Sequence, residues 1–362
     1  MNEHIQQMID WIERHLKHDF SLDALSNYMG YSPYYCSFKF HQAAGISIRR
    51  YVLLRRLYLS TEHLANGQKI LDIALEFRYS SQEAYSRAFK LIFGISPSEF
   101  QRNPMPVQSF IKLTVNKDKG WCEMDFAKKI EVEQLQLKNS ECFDQDVLHL
   151  LNGQVMYEEF KDNKLMGNAD YAPFNEAMCV HATTKQVFSQ AFIAARASGH
   201  HDSVENYIAK VIDPLHPLFH KPYKCIVLWF GEDMFCQMNL LTMLAYLEQS
   251  GYAGRVFMFS FREDEFKVSE TELTLGRYAA VYEEVLIRHQ KPSSDLLPIM
   301  YQAANLYLDM LHERHAVVKY ISSHKDLPTS ELLINLFERF PSIGYGDTQY
   351  LELIHKARAE HS

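Results

Sequence analysis

The chain has 362 residues, of which 47% are hydrophobic and 23% are charged, values typical of folded globular domains. At about 150 residues per domain, this length predicts two or three domains. No apolar run approaches the ~20 residues of a membrane span, and the acidic start lacks the apolar core of a secretory signal, so we expect a cytoplasmic protein.

Charge is distributed unevenly along the chain. The net charge is −8, yet residues 1–105 contain 12 Lys and Arg against 10 Asp and Glu, which leaves the remainder strongly acidic. This asymmetry predicts a domain boundary near residue 105. It also permits a DNA-binding first part, because affinity for DNA depends on local phosphate neutralisation. The six cysteines form no C-x-x-C pair, and we expect free thiols.

Residues 70–102 carry the clearest pattern in the chain. Apolar residues at helical spacing predict two helices joined by a tight turn, the second over about residues 81–92. Ser80 and Glu83 have the spacing of a capping box at its start, and Gly94 suits its end. Two helices joined in this way predict a helix-turn-helix unit.

The outer face of that second helix is polar. In a helix-turn-helix unit such a face enters the DNA major groove, where Arg bonds guanine and Gln bonds adenine through two atoms each. A solvated face on an ordinary bundle helix is the alternative, and composition does not separate the two. The residues concerned are Gln82, Glu83, Ser86, Arg87 and Lys90.

An internal repeat favours DNA binding. Phe40–Ser47 matches Phe89–Ser96 at a constant offset of 49 residues, and upstream Gly30 matches Arg78 at an offset of 48. The repeat predicts two helix-turn-helix units separated by one long helix. Two such units on a rigid linker can enter successive major grooves, roughly 34 Å apart on one face of DNA.

The motifs LDALSNYMGYSPYYCSFKFHQAAGIS and ILDIALEFRYSSQEAYSRAFKLIFGISPSEFQR resemble the double helix-turn-helix domain of the AraC/XylS family of bacterial transcription regulators. The resemblance covers about the first 105 residues. It implies an all-α domain of seven helices, with recognition helices at about 33–43 and 81–92. It also implies a transcription regulator, activator or repressor, whose partners are double-stranded DNA and RNA polymerase, with a small-molecule effector and a homodimer as further partners.

Base contacts are implied at matching positions of both recognition helices, and phosphate contact at the start of the long helix. The full set of expected DNA-binding residues is Tyr34, Tyr35, Ser37, Phe38, Lys39, Arg49, Gln82, Glu83, Ala84, Arg87 and Lys90.

Two positions depart from the family pattern. Phe38 stands where Arg is frequent, so the first helix reads bases through apolar contact with thymine methyl groups, or is rotated so that Lys39 reaches phosphate. Arg78 replaces a small residue in the second turn, where it either binds a phosphate or is solvated. Phosphate contact is also plausible for Arg49 or Arg50.

Two further arginines lie in the middle of the long helix. For Arg55 and Arg56 we favour a bridge between the two halves of the domain through Asp72 or Glu76.

The remainder is predicted to be a larger α/β domain with a partly parallel sheet. Residues 224–230 and 255–261 read as buried strands around a helix over 234–247, which is a βαβ unit. Further expected elements are strands at 109–116 and 177–183 and a helix around 143–151.

The predicted architecture is therefore multidomain. Residues 1–105 are the DNA-binding domain, 106–175 a linker and poorly defined connecting region, and 176–362 an α/β effector or assembly domain. VLWFGEDMFCQMNLLTMLAYL and LLINLFERFPSIGYGDTQYLELI faintly resemble a bacterial α/β family of unknown function, which names no ligand.

Glu232 and Asp233 follow a buried strand at the edge where open α/β sheets bind ligands. They either bind a polar ligand or cap the next helix, and capping is favoured about two to one. The segment has no glycine fingerprint for nucleotides.

We expect no metal, no cofactor and no catalytic site. The pairs His216/His220 and His200/His201 are better explained as solvated or core histidines than as metal ligands, because Pro217 disturbs the helix that the first pair requires. The sequence shows no constellation for nucleophilic catalysis.

These observations predict a sequence-specific transcription regulator that is not an enzyme. Its C-terminal domain senses a small ligand or mediates assembly. The alternative is a DNA-binding head fused to a catalytic α/β domain of unknown reaction.

Overall fold

The computed structural model describes residues 2–114, 126–261, 268–293 and 295–359. The chain forms two compact units. We call the first the head unit (Met1–Trp121, Ala316–Pro341 and Tyr350–Ser362) and the second the sheet unit (Cys122–His315 and Ser342–Gln349).

Seven helices build the first part of the head unit, as the family resemblance implied. They are α1 (Asn2–Arg14), α2 (Leu22–Met29), α3 (Pro33–Ala44), α4 (Ile48–Ala65), α5 (Ile70–Glu76), α6 (Gln82–Phe93) and α7 (Pro97–Arg102). Buried apolar residues form one core around α1–α3 and a second around α5–α7, and α4 contributes to both. The long helix α4 therefore joins two small three-helix units.

Serine side chains start most of these helices. Ser32 accepts the N–H of Tyr35, and Ser96 forms the full capping box with Glu99. For α6 the cap is Ser81, whose hydroxyl accepts the N–H of Ala84, and the prediction of Ser80 as the cap is wrong by one residue. The helix consequently begins at Gln82, with Ser81 in the extended conformation that a cap requires.

Residues 106–114 pack on the head unit and do not leave it as a linker. Val107 and Phe110 pack against the second core, and Leu113 packs against the first. Arg55 donates a hydrogen bond to the carbonyl of Phe110. The strand predicted at 109–116 is absent over 109–114, because these residues bond α4 side chains instead of a neighbouring strand, and residues 115 and 116 lie outside the described residues.

The sheet unit contains a five-stranded sheet in the order β2-β1-β3-β4-β5. Strands β1 (Val147–Leu151), β2 (Asp170–Pro173), β3 (Cys225–Trp229) and β4 (Arg255–Phe261) are parallel, and β5 (Val268–Leu273) runs antiparallel to β4. The helices of this unit are α8 (Phe126–Lys138), α9 (Gln154–Asp162), α10 (Gln190–Gly199), α11 (Val204–Tyr207), α12 (His216–His220), α13 (Met234–Gln249), α14 (Tyr278–Tyr282) and α15 (Pro298–Met310).

Two of the parallel strands lie inside the predicted connecting region, 106–175. The helix expected around 143–151 is wrong, because Val147–Leu151 is the fully buried strand β1 between two neighbours. His149 interrupts its apolar run. Burial lowers the pKa of His149 to about 3, and the neutral ring accepts the Trp229 indole N–H and bonds the Cys142 carbonyl. A hydrogen-bonded polar residue inside a buried strand interrupts the continuous apolar run by which such a strand is recognised in a sequence.

The strand predicted at 177–183 is also wrong. The segment is irregular, and its carbonyl groups bond the buried guanidinium of Arg196 instead of a neighbouring strand. Arg196 donates to the carbonyls of Ala177 and Val180 at 2.9 and 2.7 Å and to the carboxylate of Glu176 at 2.7 Å. A single side chain therefore organises the loop that follows β2.

Glu176 is the anionic partner in this buried cluster. Burial alone would raise the pKa of its carboxyl, but hydrogen bonds from His200 and Arg196 hold that pKa well below its usual range. Tyr207 donates a further hydrogen bond to the same carboxylate. The charge pair is therefore fully hydrogen-bonded, the condition under which a buried ion pair is tolerated.

Three C-terminal helices complete the chain: α16 (Ala316–Ser323), α17 (Thr329–Arg339) and α18 (Asp347–Ala359). Arg358 joins α18 to the start of α17 through the Thr329 hydroxyl and the Leu327 carbonyl, both at 2.8 Å. None of the helices in the described ranges is long and apolar enough to cross a membrane. Within those same ranges, no group of His, Cys, Asp and Glu is arranged to hold a metal ion.

We predict that Arg196→Met destabilises the sheet unit by about 3–5 kcal/mol, because it leaves the Glu176 carboxylate buried without its cation. Urea unfolding of the full chain, followed by tryptophan fluorescence, measures the change. Arg255→Met removes an exposed pair with Glu272 and is the matched control, for which we expect a smaller effect. Equal effects of the two substitutions would contradict the organising role of Arg196.

Candidate DNA interface

Helix α3 presents an aromatic face. Cys36 and Phe40 are buried, whereas Tyr34 and Phe38 are 79% and 51% exposed. The rings of Tyr34 and Phe38 lie nearly parallel, with centroids 6.3 Å apart. A face of this kind suits apolar contact with thymine methyl groups better than hydrogen bonding to guanine.

Lys39 lies against the same face. Its ammonium nitrogen is 5.7 Å from the centroid of the Phe38 ring and 5.9 Å from that of Tyr35, and it donates to Gln42 at 3.0 Å. Ser37 is half-buried. The positive charge is thus held against aromatic rings beside the predicted base-reading positions, an arrangement that cation–π attraction stabilises.

Helix α6 presents a polar face of the opposite character. Tyr85 and Phe89 are buried. Gln82, Glu83, Arg87 and Lys90 are exposed, and Ala84 and Ser86 are half-buried. The structure therefore places the predicted polar residues of α6 together, on the side of the helix that faces away from the core.

Glu83 has a structural role on this helix. Hydrogen bonds from the Ser81 hydroxyl and from its own main-chain N–H hold the pKa of its carboxyl below the usual value. The carboxylate therefore lies at the positive end of α6, where it stabilises the helix. Arg87, one turn further along, is the side chain of this face best suited to bond guanine.

The turns of the two units share one backbone feature. Gly30 has φ +69° in the first turn, and Arg78, its counterpart in the repeat, has φ +64°. Glycine adopts this left-handed conformation without steric cost, whereas other residues rarely do. Arg78 donates two hydrogen bonds to the Asp19 carboxylate, one of them at 2.9 Å. Its side chain is thus paired, which neither alternative in the sequence analysis anticipated.

A second ion pair accompanies this contact. Lys17 and Glu76 approach within 2.5 Å, so residues 17–19 of the first unit bond the end of α5 and the turn that follows it. Sequence reasoning missed Asp19 and Lys17, because the contacts span 59 residues and neither residue belongs to a motif. These two exposed ion pairs connect the two helix-turn-helix units of the head.

Arg55 and Arg56 bond different partners from those predicted. Arg55 forms a two-pronged ion pair with Glu13, at 2.8 Å for both contacts. Arg56 donates to the carbonyls of Leu16 and His18 at 2.7 and 2.8 Å. The expectation of Asp72 or Glu76 is wrong, because both guanidinium groups turn towards α1 and the loop that follows it. Arg49, by contrast, is exposed at the start of α4.

Arg339, from the end of α17, bonds the end of α3. It donates to the carbonyls of His41, at 2.7 Å, and Gln42. Its guanidinium also stacks over the ring of Tyr320, 4.6 Å from the centroid. The His41 carbonyl also accepts the N–H of Gly45 at 3.0 Å, and a cation is favoured at the C-terminal end of a helix. No sequence pattern connects residues almost 300 positions apart.

The predicted ligand residues of the sheet unit lie at the start of α13. Asp233 accepts the N–H of Cys236 at 2.8 Å and caps the helix. The N–H groups of Met234 and Phe235 donate to the carbonyls of Ser342 and Ile343 at 2.9 and 3.0 Å. Asp233 therefore has the capping role, and the donors of this helix start are bonded to the chain's own loop. Glu232 is half-buried beside it.

The prediction that Pro217 disturbs the helix of the first histidine pair is wrong, because Pro217 stands at the second position of α12, where proline is tolerated. The rings of His216 and His220 stack with centroids 3.9 Å apart, and His220 bonds the His216 carbonyl. His200 bonds Glu176 at 2.7 Å.

Comparison with known proteins concerns about a hundred residues of the chain. A family model described as a helix-turn-helix domain matches residues 25–103. The Transposon Tn10 TetD protein of Escherichia coli is 34% identical over 102 residues, which are 28% of this chain and 74% of that protein. The regulatory protein SoxS of Salmonella typhimurium is 32% identical over 98 residues, which are 27% of this chain and 92% of that protein.

The Right origin-binding protein of Escherichia coli is 37% identical over 101 residues, which are 28% of this chain and 35% of that protein. This chain therefore spans nearly all of SoxS but only about a third of the Right origin-binding protein.

We predict that Arg87→Ala weakens specific DNA binding by about 1–3 kcal/mol and relaxes selectivity at one base position. A fluorescence-anisotropy titration with a selected duplex and its single-base variants measures both effects. Arg288→Ala, which removes an exposed arginine of the sheet unit, is the control. Unchanged affinity and selectivity would remove Arg87 from the base-reading residues.

We predict that Arg78→Gly, Asp19→Ala and the double variant weaken DNA binding by the same factor, about two- to fivefold, because each breaks the same contact. Glycine is chosen because it adopts the left-handed turn without strain. Titrations at several salt concentrations should show an unchanged salt slope. Tighter binding by Asp19→Ala, together with a slope reduced by about one for Arg78→Gly, would instead assign Arg78 to a phosphate.

Proposed function

The chain belongs to the AraC family of DNA-binding transcription regulators, and from this premise we propose that it reads a two-part DNA site with its head unit and senses a small molecule with its sheet unit. The DNA-reading part of the proposal rests on the exposed faces of α3 and α6. Each of these helices follows a turn with a left-handed residue, and each packs in a core to which α4 contributes.

The two faces support different modes of reading. Gln82 and Arg87 have the hydrogen-bonding groups that distinguish adenine and guanine in the major groove. Tyr34, Tyr35 and Phe38 offer apolar surface that suits thymine methyl groups. We therefore propose that one half of the site is recognised mainly by hydrogen bonds and the other mainly by apolar contact. Arg49, exposed at the start of α4, is proposed to bind phosphate.

We propose that the C-terminal helices communicate between the units. Arg339 bonds the end of recognition helix α3, inside the head unit. Three residues later, Ser342 and Ile343 bond the start of α13, inside the sheet unit. A rearrangement at the start of α13 would therefore act on a chain segment that is directly continuous with a contact of the recognition helix.

We also propose that the protein activates transcription through RNA polymerase and that it assembles as a homodimer.

Selection from a random duplex library by the full-length protein tests the DNA-reading part. Enrichment of two boxes about one helical turn apart supports it. Lack of enrichment by the full chain and by residues 1–114 alike would contradict it.

We predict that Arg339→Ala weakens DNA binding by about two- to fivefold, which corresponds to about 0.4–1 kcal/mol, because the end of α3 loses two charge-assisted hydrogen bonds. Anisotropy titrations at matched protein stability measure the change, with Arg288→Ala as the control. The salt slope should stay unchanged, since this guanidinium faces helix carbonyls. Wild-type affinity of Arg339→Ala would remove this contact from the proposed route.

A further inference from the structure

The sheet unit contains a cavity of about 370 Å³ beside the start of α10. Its lining is formed by Gln186, Val187, Phe188, Ser189, Ile212, Phe219 and Tyr246. The volume lies at the lower end of the range for small-molecule sites, roughly 300–1,000 Å³. None of these seven described residues carries a charge, so the cavity suits an uncharged ligand.

Three aromatic rings define the chemistry of this cavity. The centroids of Phe188 and Tyr246 are 4.9 Å apart, those of Phe188 and Phe219 are 5.4 Å apart, and those of Phe219 and Tyr246 are 5.7 Å apart. Each pair meets at 65–85°. The three rings are half-buried, and rings arranged in this way attract a further ring by edge-to-face or offset contact.

The backbone around the cavity is irregular at two separate places. Phe188 has φ +57°, a conformation that is unfavourable for a bulky residue. Ile212 ends a π-helical turn, Ile208–Ile212, a rare element that is frequent at functional sites. Strained backbone persists only where the surroundings enforce it, and it clusters at ligand sites. Both irregularities place side chains in the same cavity.

One side chain of α13 enforces the position of Phe188. The Gln249 amide accepts the N–H of Val187 at 2.9 Å and donates to the carbonyl of Lys185 at 2.8 Å. These two bonds hold the residues directly before Phe188 to the end of α13. Ser189, directly after it, caps α10 by accepting the N–H of Phe192 at 3.2 Å. The left-handed residue is therefore fixed from both sides.

We propose that this cavity is the effector site and that it takes a planar, uncharged aromatic molecule of one or two fused rings. The inference rests on the proposed ligand sensing by the sheet unit and names its location and ligand class. The ligand packs against the half-buried rings of Phe188, Phe219 and Tyr246, and the Gln186 side chain at the rim bonds its polar substituent. Its binding acts on the start of α10, the helix that carries Arg196.

The test uses 2-naphthol and its saturated counterpart decahydro-2-naphthol with the full-length protein. The two probes share a hydroxyl group and differ in aromaticity. Saturation-transfer NMR titrations measure the dissociation constants, and the rise in melting temperature with probe concentration checks them. We expect 2-naphthol to bind on the order of millimolar, as suits so small a ligand, and the saturated probe to bind at least fivefold more weakly.

Substitutions locate the binding. Ile212→Trp fills the cavity and should weaken 2-naphthol binding at least tenfold. Phe219→Leu keeps apolar bulk but removes one ring, which should weaken it about three- to tenfold. Phe337→Leu, a ring of α17 in the head unit, is the matched control and should leave binding unchanged. Should Ile212→Trp fail to fold, Phe219→Leu decides the question, because it nearly conserves volume.

Equal binding of the two probes, absence of 2-naphthol binding, or wild-type affinity in Phe219→Leu would overturn the proposal. DNA titrations with and without 2-naphthol separate it from the proposed function. Localised probe binding with unchanged DNA affinity supports the aromatic site and contradicts its sensing role. Absence of probe binding together with intact DNA binding overturns the proposed aromatic site but does not contradict the proposed DNA-binding function.

Discussion

The head unit depends on one helix and on the arginine in its middle. Helix α4 has 18 residues and is therefore about 27 Å long at 1.5 Å per residue. It contributes to both apolar cores, so the two helix-turn-helix units share a single rigid element. Arg55, nine-tenths buried on α4, binds the carboxylate of Glu13 on α1. Removal of either partner would leave the other charge largely buried and without an ion pair, so each residue depends on the other.

The same arginine explains why the chain stays with the head unit after α7. Its third nitrogen, Nη1, donates to the carbonyl of Phe110. The Tyr51 hydroxyl accepts the N–H of Leu113 at 3.3 Å and donates to Glu13 at 2.6 Å. Glu13, Tyr51 and Arg55 thus form one network joining α1, α4 and the segment after α7. The exposed ion pairs of Lys17 and Asp19 add two further connections between the two helix-turn-helix units.

In the sheet unit, polar side chains bond the main chain of the loops that follow or precede its strands and helices. Parallel strands buried on both faces require their connecting loops to satisfy many main-chain groups. In the loop after β2 Arg196 does so, and at the end of α13 the amide of Gln249 does so for residues 185 and 187. The buried side chain of Arg196 and the half-buried side chain of Gln249 therefore hold irregular backbone that belongs to no strand or helix. The left-handed Phe188 is a product of this arrangement.

These features explain which predictions from the sequence succeeded. Local patterns were sufficient for helices α1–α7, since caps such as Ser96 and periodic apolar faces lie within a few residues of the helices that they define. The strands of 224–230 and 255–261 were predictable for the same reason. The sequence misled where a long-range polar contact replaced a local one: His149 concealed β1, and Arg196 converted the apolar segment 177–183 into a loop.

The polar contacts of the candidate site follow the same rule. The exposed residues of α6 were predictable from helical spacing, whereas the partners of Arg55, Arg78 and Arg339 were not, because a guanidinium can reach many acceptors and the sequence does not rank them. Among these three, Arg339 is the contact on which the proposed regulation depends. Its hydrogen bonds connect the end of α3, the first proposed recognition helix, to a segment almost 300 residues away in the sequence. In the proposed regulation by the sheet unit, the short segment between Arg339 and Ser342 is where a change at the start of α13 would reach this contact.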